Sequence, residues 1–334
     1  GQGTFTWSEL QAMAASLPES TQTWLCLGFF VAFAIKAPLV PFHTWLPDAG
    51  AEAPVGAGVL LVGVLDKVGT FGFLRYCLPL FPLASQRLAP LVLVLAVIGV
   101  LYGALLAVGQ TDMKRFVAYT SIAHFGFIAL GIFAFSSQAF AGSTLYMVNH
   151  GISTGMLFIV VGLVIARGGS RLVTDYGGVH RLAPLLAGSF LLAGLSSLAL
   201  PGTNSFVSEF LVLVGSFPRE PVYTILATVG IIFAALYVLW VYQRTMQGPV
   251  RGAAVLAALD KAGGPGTMLD PAVSAARSSG FPDLSRRELA VLTPLIVLIL
   301  VLGFFPGPVL DVITPSVVAT MNEVGLPDPV GGVR

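Results

Sequence analysis

Apolar residues in this chain come in long unbroken runs. Stretches of about 20 or more, bounded by charge or by Pro/Gly clusters, fall at 21–41, 53–76, 88–110, 115–136, 139–166, 183–217, 221–246 and 288–308. They are too long for the strands of a membrane barrel and lack its period-two alternation. Helices are the remaining way to satisfy backbone groups inside hydrocarbon. The pattern predicts an all-α, polytopic transmembrane helix bundle.

Two runs are interrupted. At about 1.5 Å per residue, the stretch 183–217 would extend roughly 52 Å, against a hydrocarbon core of about 30 Å. Leu200-Pro201-Gly202-Thr203-Asn204 stands at its middle. Proline removes a backbone donor and glycine loosens the turn, so two half-helices are predicted, 183–200 and 204–217. In the first run, Lys36-Ala37-Pro38-Leu39-Val40-Pro41 breaks an apolar stretch that resumes towards Trp45. The second broken helix is fourth in the series 88–110, 115–136, 139–166, 183–217, 221–246, and the first is followed by one intact helix, 53–76. Tandem five-helix units of opposite orientation, as in many transporters, account for this spacing. Residues 21–76 would end one unit and 88–247 would form the second.

The flanking segments read differently. Residues 1–20 are polar and mildly amphipathic and are expected to form a loop. They lack the basic stretch of a signal peptide and open without Met, so the chain is expected to be the later part of a longer one. Residues 248–287 read as a long, variable Gly/Ala/Pro-rich cytoplasmic loop, and 288–334 as a last transmembrane helix with a tail.

Composition narrows the picture. Of 334 residues, 56% are apolar and 10% charged, and the mean hydropathy is +0.88. Soluble domains carry roughly 25% charged residues, and disordered chains are far less hydrophobic. A net charge of +1 gives nucleic-acid binding no electrostatic support. Cys26 and Cys77 lie in apolar runs and suggest neither a disulfide framework nor a metal site. One set of loops holds Lys114, Arg115, Arg167, Arg171, Arg181, Arg244, Arg251, Lys261, Arg277, Arg286 and Arg287. The other holds Arg75, Arg87, Arg219 and Arg334. That bias puts the first set in the cytoplasm.

Six titratable residues remain at membrane depth: Lys36, Asp66, Lys67, His124, His150 and Glu209, spread over five helices. Each costs at least about 2.5–3.5 kcal/mol on an insertion scale, so each needs a reason. Lys36 precedes the first break, where freed backbone groups can hold water and charge; snorkelling is the alternative. Lys67 is too deep in its span to snorkel easily. Its bland alternative, an ion pair with Asp66, has poor geometry, because adjacent helical residues point about 100° apart. Glu209 lies at the sixth position after the second break, too far in to cap the half-helix. His124 and His150 are central in their helices and can shuttle protons near pH 7, or simply hold interhelical hydrogen bonds. Four scattered histidines give no zinc spacing. His43 and His180 are expected at membrane edges, Trp45 in an aromatic belt, and Asp48, Glu52, Asp112 and Lys114 as solvated loop charges. No phosphate loop, dinucleotide fingerprint, nucleophile elbow or CxxC is present in the sequence. The residue chemistry points to ion or proton movement and not to bond-making.

Several segments carry a more specific signal. Ala34-Ile35-Lys36-Ala37-Pro38-Leu39-Val40-Pro41-Phe42-His43-Thr44-Trp45-Leu46-Pro47-Asp48-Ala49 and Gln110-Thr111-Asp112-Met113-Lys114-Arg115-Phe116-Val117-Ala118-Tyr119-Thr120-Ser121-Ile122-Ala123-His124 resemble the signatures of the antiporter-like subunits of respiratory complex I. Gly69–Arg75 and Leu200–Phe210 resemble the M-chain branch of that family, the proton-translocating NADH:quinone oxidoreductases. The resemblance runs from 21 to about 247 and more weakly over 288–312.

It implies an antiporter-like fold with inverted repeats and two broken helices, set in the bacterial inner (plasma) membrane among other membrane subunits of the complex. FMN, iron–sulfur clusters and quinone would belong to partner subunits, with none held in this chain. Lys36 would match the lysine of the first broken helix, whose glutamate partner lies on an earlier helix. Lys67 would match the lysine of the central axis, His124 and His150 the polar residues along it, and Glu209 the acidic residue of the second broken helix. Asp66 departs from the pattern, which has an apolar residue there; it is a possible modulator of Lys67. Gly50 and Gly56 depart with no clear consequence. A subunit of a multi-subunit Na+/H+ antiporter shares these motifs and is the alternative. A third reading, an inactive structural subunit, is disfavoured by the retained Lys36, Lys67 and Glu209.

Overall fold

Prolines and short polar side chains fix where the helices start. Pro82, Pro184 and Pro221 occupy first turns, where a missing N–H leaves no bond unmade. Asp112 caps the next helix by accepting from the Lys114 and Arg115 amides at 2.8 and 3.2 Å. Ser136 accepts from the Ala139 amide. Ser285 and Glu288 form a reciprocal capping box.

The structure, a computed structural model, describes residues 3–263 and 280–329. Its helices are α1 (Trp7–Ser16), α2 (Glu19–Lys36), α3 (Trp45–Glu52), α4 (Val55–Leu80), α5 (Pro82–Val108), α6 (Met113–Phe133), α7 (Ser137–Gly168), α8 (Pro184–Ser197), α9 (Asn204–Ser216), α10 (Pro221–Met246), α11 (Ala253–Gly263), α12 (Arg286–Phe304) and α13 (Gly307–Val324). Six of them, α4, α5, α6, α7, α10 and α12, are long and apolar enough to cross a membrane. The 18-residue α2 falls short of that group because its first turn, Glu19 to Thr23, is polar. It ends at Lys36, as the break predicts, and the path resumes in α3. The second break separates α8 from α9 at Leu198–Thr203.

Two expectations are corrected, and a third gains detail. Residues 1–20 are not a loop throughout: α1 forms there, with the Arg75 guanidinium 4.2 Å from the Trp7 ring centroid. The segment 248–287 contains α11 and the first two residues of α12; its residues 264–279 lie outside the described residues. The tail after α12 is helical, and α13 buries Val317, Met321 and Val324. Mixed polar and apolar composition hid all three from a search for long apolar runs. Helix α5 also starts earlier than 88, since Pro82 begins it and Arg87 pairs with Glu19 on its surface at 2.6 Å.

Helix α6 is the axis of the bundle and is buried almost along its whole length. It is flanked by α5 and α7, while α10 and α12 leave most of their surface outward. Ion pairs and charged caps collect at two ends. At one, Lys114, Arg115, Arg167 and Arg171 meet α3 and the start of α12. The turn Val173–Asp175 closes the same end through Tyr176, whose hydroxyl donates to the Ser170 carbonyl at 2.6 Å. Burial pushes that hydroxyl up to about 12, so it stays a donor. At the other end, Arg87 meets Glu19, and Asp328 meets Ser137.

Candidate functional site

Helix α4 does not keep α-helical winding. Leu61–Leu65 and Phe73–Cys77 are π-helical turns, a feature that concentrates at functional sites. Lys67 follows just after the first. Its ammonium donates to the Val62 carbonyl within that turn and lies 2.6 Å from His150 Nδ1 on α7. The Phe125 ring is 5.4 Å away. Gly63 and Gly151 allow this approach. A Cβ on Gly151, the residue after His150, would sit 2.7 Å from the Gly63 carbonyl oxygen. Small residues let membrane helices close up in this way.

From His150 the row continues. Its ring meets His124 of α6 edge-on, centroids 5.3 Å apart. His124 Nε2 is 2.9 Å from the Ser197 carbonyl at the second break. A carbonyl can only accept, so Nε2 carries the hydrogen and Nδ1 presents a lone pair. The His124 ring lies 5.8 Å from that of Tyr146, and the Tyr146 hydroxyl donates to Glu209 Oε2 at 2.7 Å. Lys67, His150, His124, Tyr146 and Glu209 thus form one buried row crossing α4, α7, α6 and α9.

Beside the row, the second break is tied down by polar groups. Ala199 and Gly202 take positive φ there, +60° and +93°. Asn204 Oδ1 accepts from Ser196 at 2.6 Å and from Ser153 at 2.9 Å. Asn149 Nδ2 donates to the Asn204 carbonyl at 2.7 Å. Several buried polar atoms close to the row have no hydrogen-bond partner: both Asp66 carboxylate oxygens, His124 Nδ1, His150 Nε2, Asn149 Oδ1, Thr154 Oγ1 and Ser197 Oγ. Buried polar atoms are normally bonded. A set this close together has the chemistry of a water path, since a buried water takes about three polar partners.

The structure therefore brings together four of the six singled-out residues: Lys67, His124, His150 and Glu209. Lys36 stands apart and half-buried, its ammonium 5.6 Å from the Trp45 ring centroid. Asp66 is on α4 but does not touch the row's partners. Tyr146 was missed. Its signal was available: it lies four residues before His150, hence on the same helix face, and a buried tyrosine hydroxyl needs a partner.

Other expectations change. Lys114 and Asp112 are buried and are not solvated. Lys114 Nζ donates to the Ala51 and Ala53 carbonyls at 2.9 and 2.6 Å, closing the C-terminal end of α3. Arg115 pairs with Asp48 and Arg171 with Glu52, all four at the exposed rim. His43 is buried against the Tyr102 ring, centroids 5.2 Å apart, while His180 is exposed at the edge, as expected. Trp45 does more than sit at an interface. Its indole N–H donates to the Ile35 carbonyl at 2.8 Å, filling an acceptor freed by the first break.

Comparisons with known proteins bear on this arrangement. Residues 2–234 match the family described as NADH:quinone oxidoreductase/Mrp antiporter, transmembrane. NADH-quinone oxidoreductase subunit M of Mycobacterium tuberculosis is 48% identical over 99% of this chain and 56% of its own length. The subunit of that name from Pseudomonas aeruginosa is 38% identical over 97% of the chain and 58% of its own length. This chain thus spans little more than half of the relatives it matches. Among solved structures, respiratory complex I from Thermus thermophilus with bound NADH superposes with a TM-score of 0.81 at 32% identity, covering 95% of this chain and 62% of that one. An Mrp complex from Dietzia superposes with a TM-score of 0.73 at 21% identity over 88% of this chain and 60% of that one, a likeness of fold.

Proposed function

The chain belongs to the NADH:quinone oxidoreductase/Mrp antiporter membrane family, and from that premise we propose that it serves as a proton-translocating membrane subunit of respiratory complex I. Its place in this reading is the bacterial plasma membrane, among other membrane subunits. NADH oxidation and quinone reduction, with flavin and iron–sulfur clusters, belong to partner subunits. The two broken helices are taken as corresponding members of inverted repeats.

The observation that carries the reading is the buried row from Lys67 to Glu209. Lys67 Nζ and His150 Nδ1, at 2.6 Å, share one proton between two nitrogens. Release from Lys67 makes His150 the carrier. The gaps from His150 to His124 and from His124 to Tyr146 are spanned by one water or a ring rotation, within the reach of general acid–base transfer. Tyr146 then relays to the Glu209 carboxylate by giving its hydroxyl proton and taking one from the His124 side. Each group's charge alters its neighbours' proton affinity, so the row titrates as a coupled set. A charge change near Lys36 would reach Lys67 and pass along it. Identity of 32% to a complex I subunit, against 21% to the Mrp chain, favours the redox complex.

The test uses the intact complex in inverted membrane vesicles. Lys67→Met and Glu209→Gln should assemble and lose NADH-driven proton uptake. Parental uptake per NADH in the Lys67→Met vesicles would sink the reading. Na+-for-proton exchange without NADH would favour an antiporter.

A further inference from the structure

We propose that Asp66 is the proton-carrying link between Lys36 at the first helix break and Lys67, so that the buried row begins at Lys36.

Three observations carry this. The first is burial without a partner. Asp66 is completely enclosed, and neither carboxylate oxygen has a hydrogen bond. A buried carboxylate held only for structure would be paired or capped.

The second is direction. Three residues on, Gly69 packs directly on the break: a Cβ there would strike the Ala37 amide nitrogen and the Phe33 carbonyl. Gly72 meets the Phe33 ring in the same way. Spacing of three residues puts Asp66 on this face, towards the end of α2 that carries Lys36. Lys67 points elsewhere, to His150 of α7. The two neighbours on α4 therefore face different helices.

The third is charge. Lys67 is the next residue along α4, and Lys36 ends α2, the helix on which Gly69 packs. Among the described residues it forms a close ion pair with neither. A buried carboxylate next to one cation in sequence, on the face towards the helix that ends in the other, and bound to neither, is placed to exchange with both.

The steps balance. The Lys36 ammonium gives a proton to the Asp66 carboxylate, leaving a neutral amine and a neutral acid. Lys67, having passed its proton to His150, is then a neutral amine. Asp66 protonates it by rotation of its short side chain or through one water, which restores the carboxylate. Lys36, half-buried at the break, is reloaded from its own side.

This inference rests on the proton-translocation reading, and the experiment separates the two. Asp66→Asn, Asp66→Leu, Asp66→Glu, Lys36→Met, Lys67→Met and the Asp66→Asn/Lys36→Met pair are built into the full complex. Protons taken up per NADH oxidised are measured in inverted vesicles, with assembly read on native gels. Asp66→Asn and Asp66→Leu should fall to half the parental ratio or less, and Asp66→Glu should restore it. The pair should be no worse than either single change, because both cut the same route. If Asp66→Asn does not assemble, Asp66→Leu decides, since leucine leaves no unpaired polar group in the enclosed site. A parental ratio in Asp66→Leu, or additive losses in the pair, overturns the link. If Lys67→Met is inactive while Asp66→Leu pumps normally, only the link falls. If Lys67→Met also pumps normally, the reading beneath it falls.

Discussion

Tyr146 contributes a single hydroxyl to the row: it donates to Glu209 at 2.7 Å, while the tyrosine ring lies 5.8 Å from that of His124. Tyr146→Phe keeps the ring and removes the donor. A hydrogen bond to a charged group contributes about 1.5–3 kcal/mol, so the change is small for a bundle of this size. The complex should assemble, with proton uptake per NADH clearly reduced; parental uptake in vesicles would show that Tyr146 is only packing. Lys67, His124, His150 and Glu209 were legible because charge and imidazole in hydrocarbon demand a reason. Tyr146 and Asn204 were not, since their moderate polarity does not stand out in an apolar run. Lys114 was legible as a position and misread as a role. Sequence spacing puts it in a turn, but only the fold brings the Ala51 and Ala53 carbonyls over its ammonium.

At the scale of elements, both breaks could be read from proline, glycine and run length. The π-turns of α4 could not. Leu61-Val62-Gly63-Val64-Leu65 has no local signature, and its winding is set by the helices around it. The seam between α4 and α7 is equally invisible in one dimension, because Gly63 and Gly151 meaningfully pair only when the helices touch. Gly151→Val should force them apart next to His150. Overpacking of this kind costs about 1–3 kcal/mol. Proton uptake is expected to fall more than assembly does, comparing vesicle uptake with the complex recovered on native gels. An equal fall in both would mean that the seam supports only stability.

For the whole molecule, long apolar runs predicted the bundle, and the amphipathic ends escaped them. The end after α13 has a specific task. Asp328 accepts from the Ser137 amide at 2.7 Å and so caps α7, the helix that carries both Tyr146 and His150. Gln86 of α5 donates to the Val324 carbonyl at 2.8 Å. Asp328→Ala removes the cap, worth about 1 kcal/mol. The expected outcome is a lower melting temperature of the purified complex with proton uptake per NADH retained; an unchanged melting temperature would remove the cap from the stability of the bundle.

The enclosure of α6 has a consequence for how such a chain is made. Lipid scarcely reaches this helix in the finished bundle, so its surface answers to α3, α5, α7, α9 and α10 and not to the bilayer. Its polar residues, His124 among them, are tolerable only once those neighbours are present. During synthesis α5 precedes it and α7 and α9 follow, so α6 must wait at the membrane for partners that have not yet been made. Its integration is an act of the assembled group, and the segment that holds the centre of the molecule depends on neighbours made both before and after it.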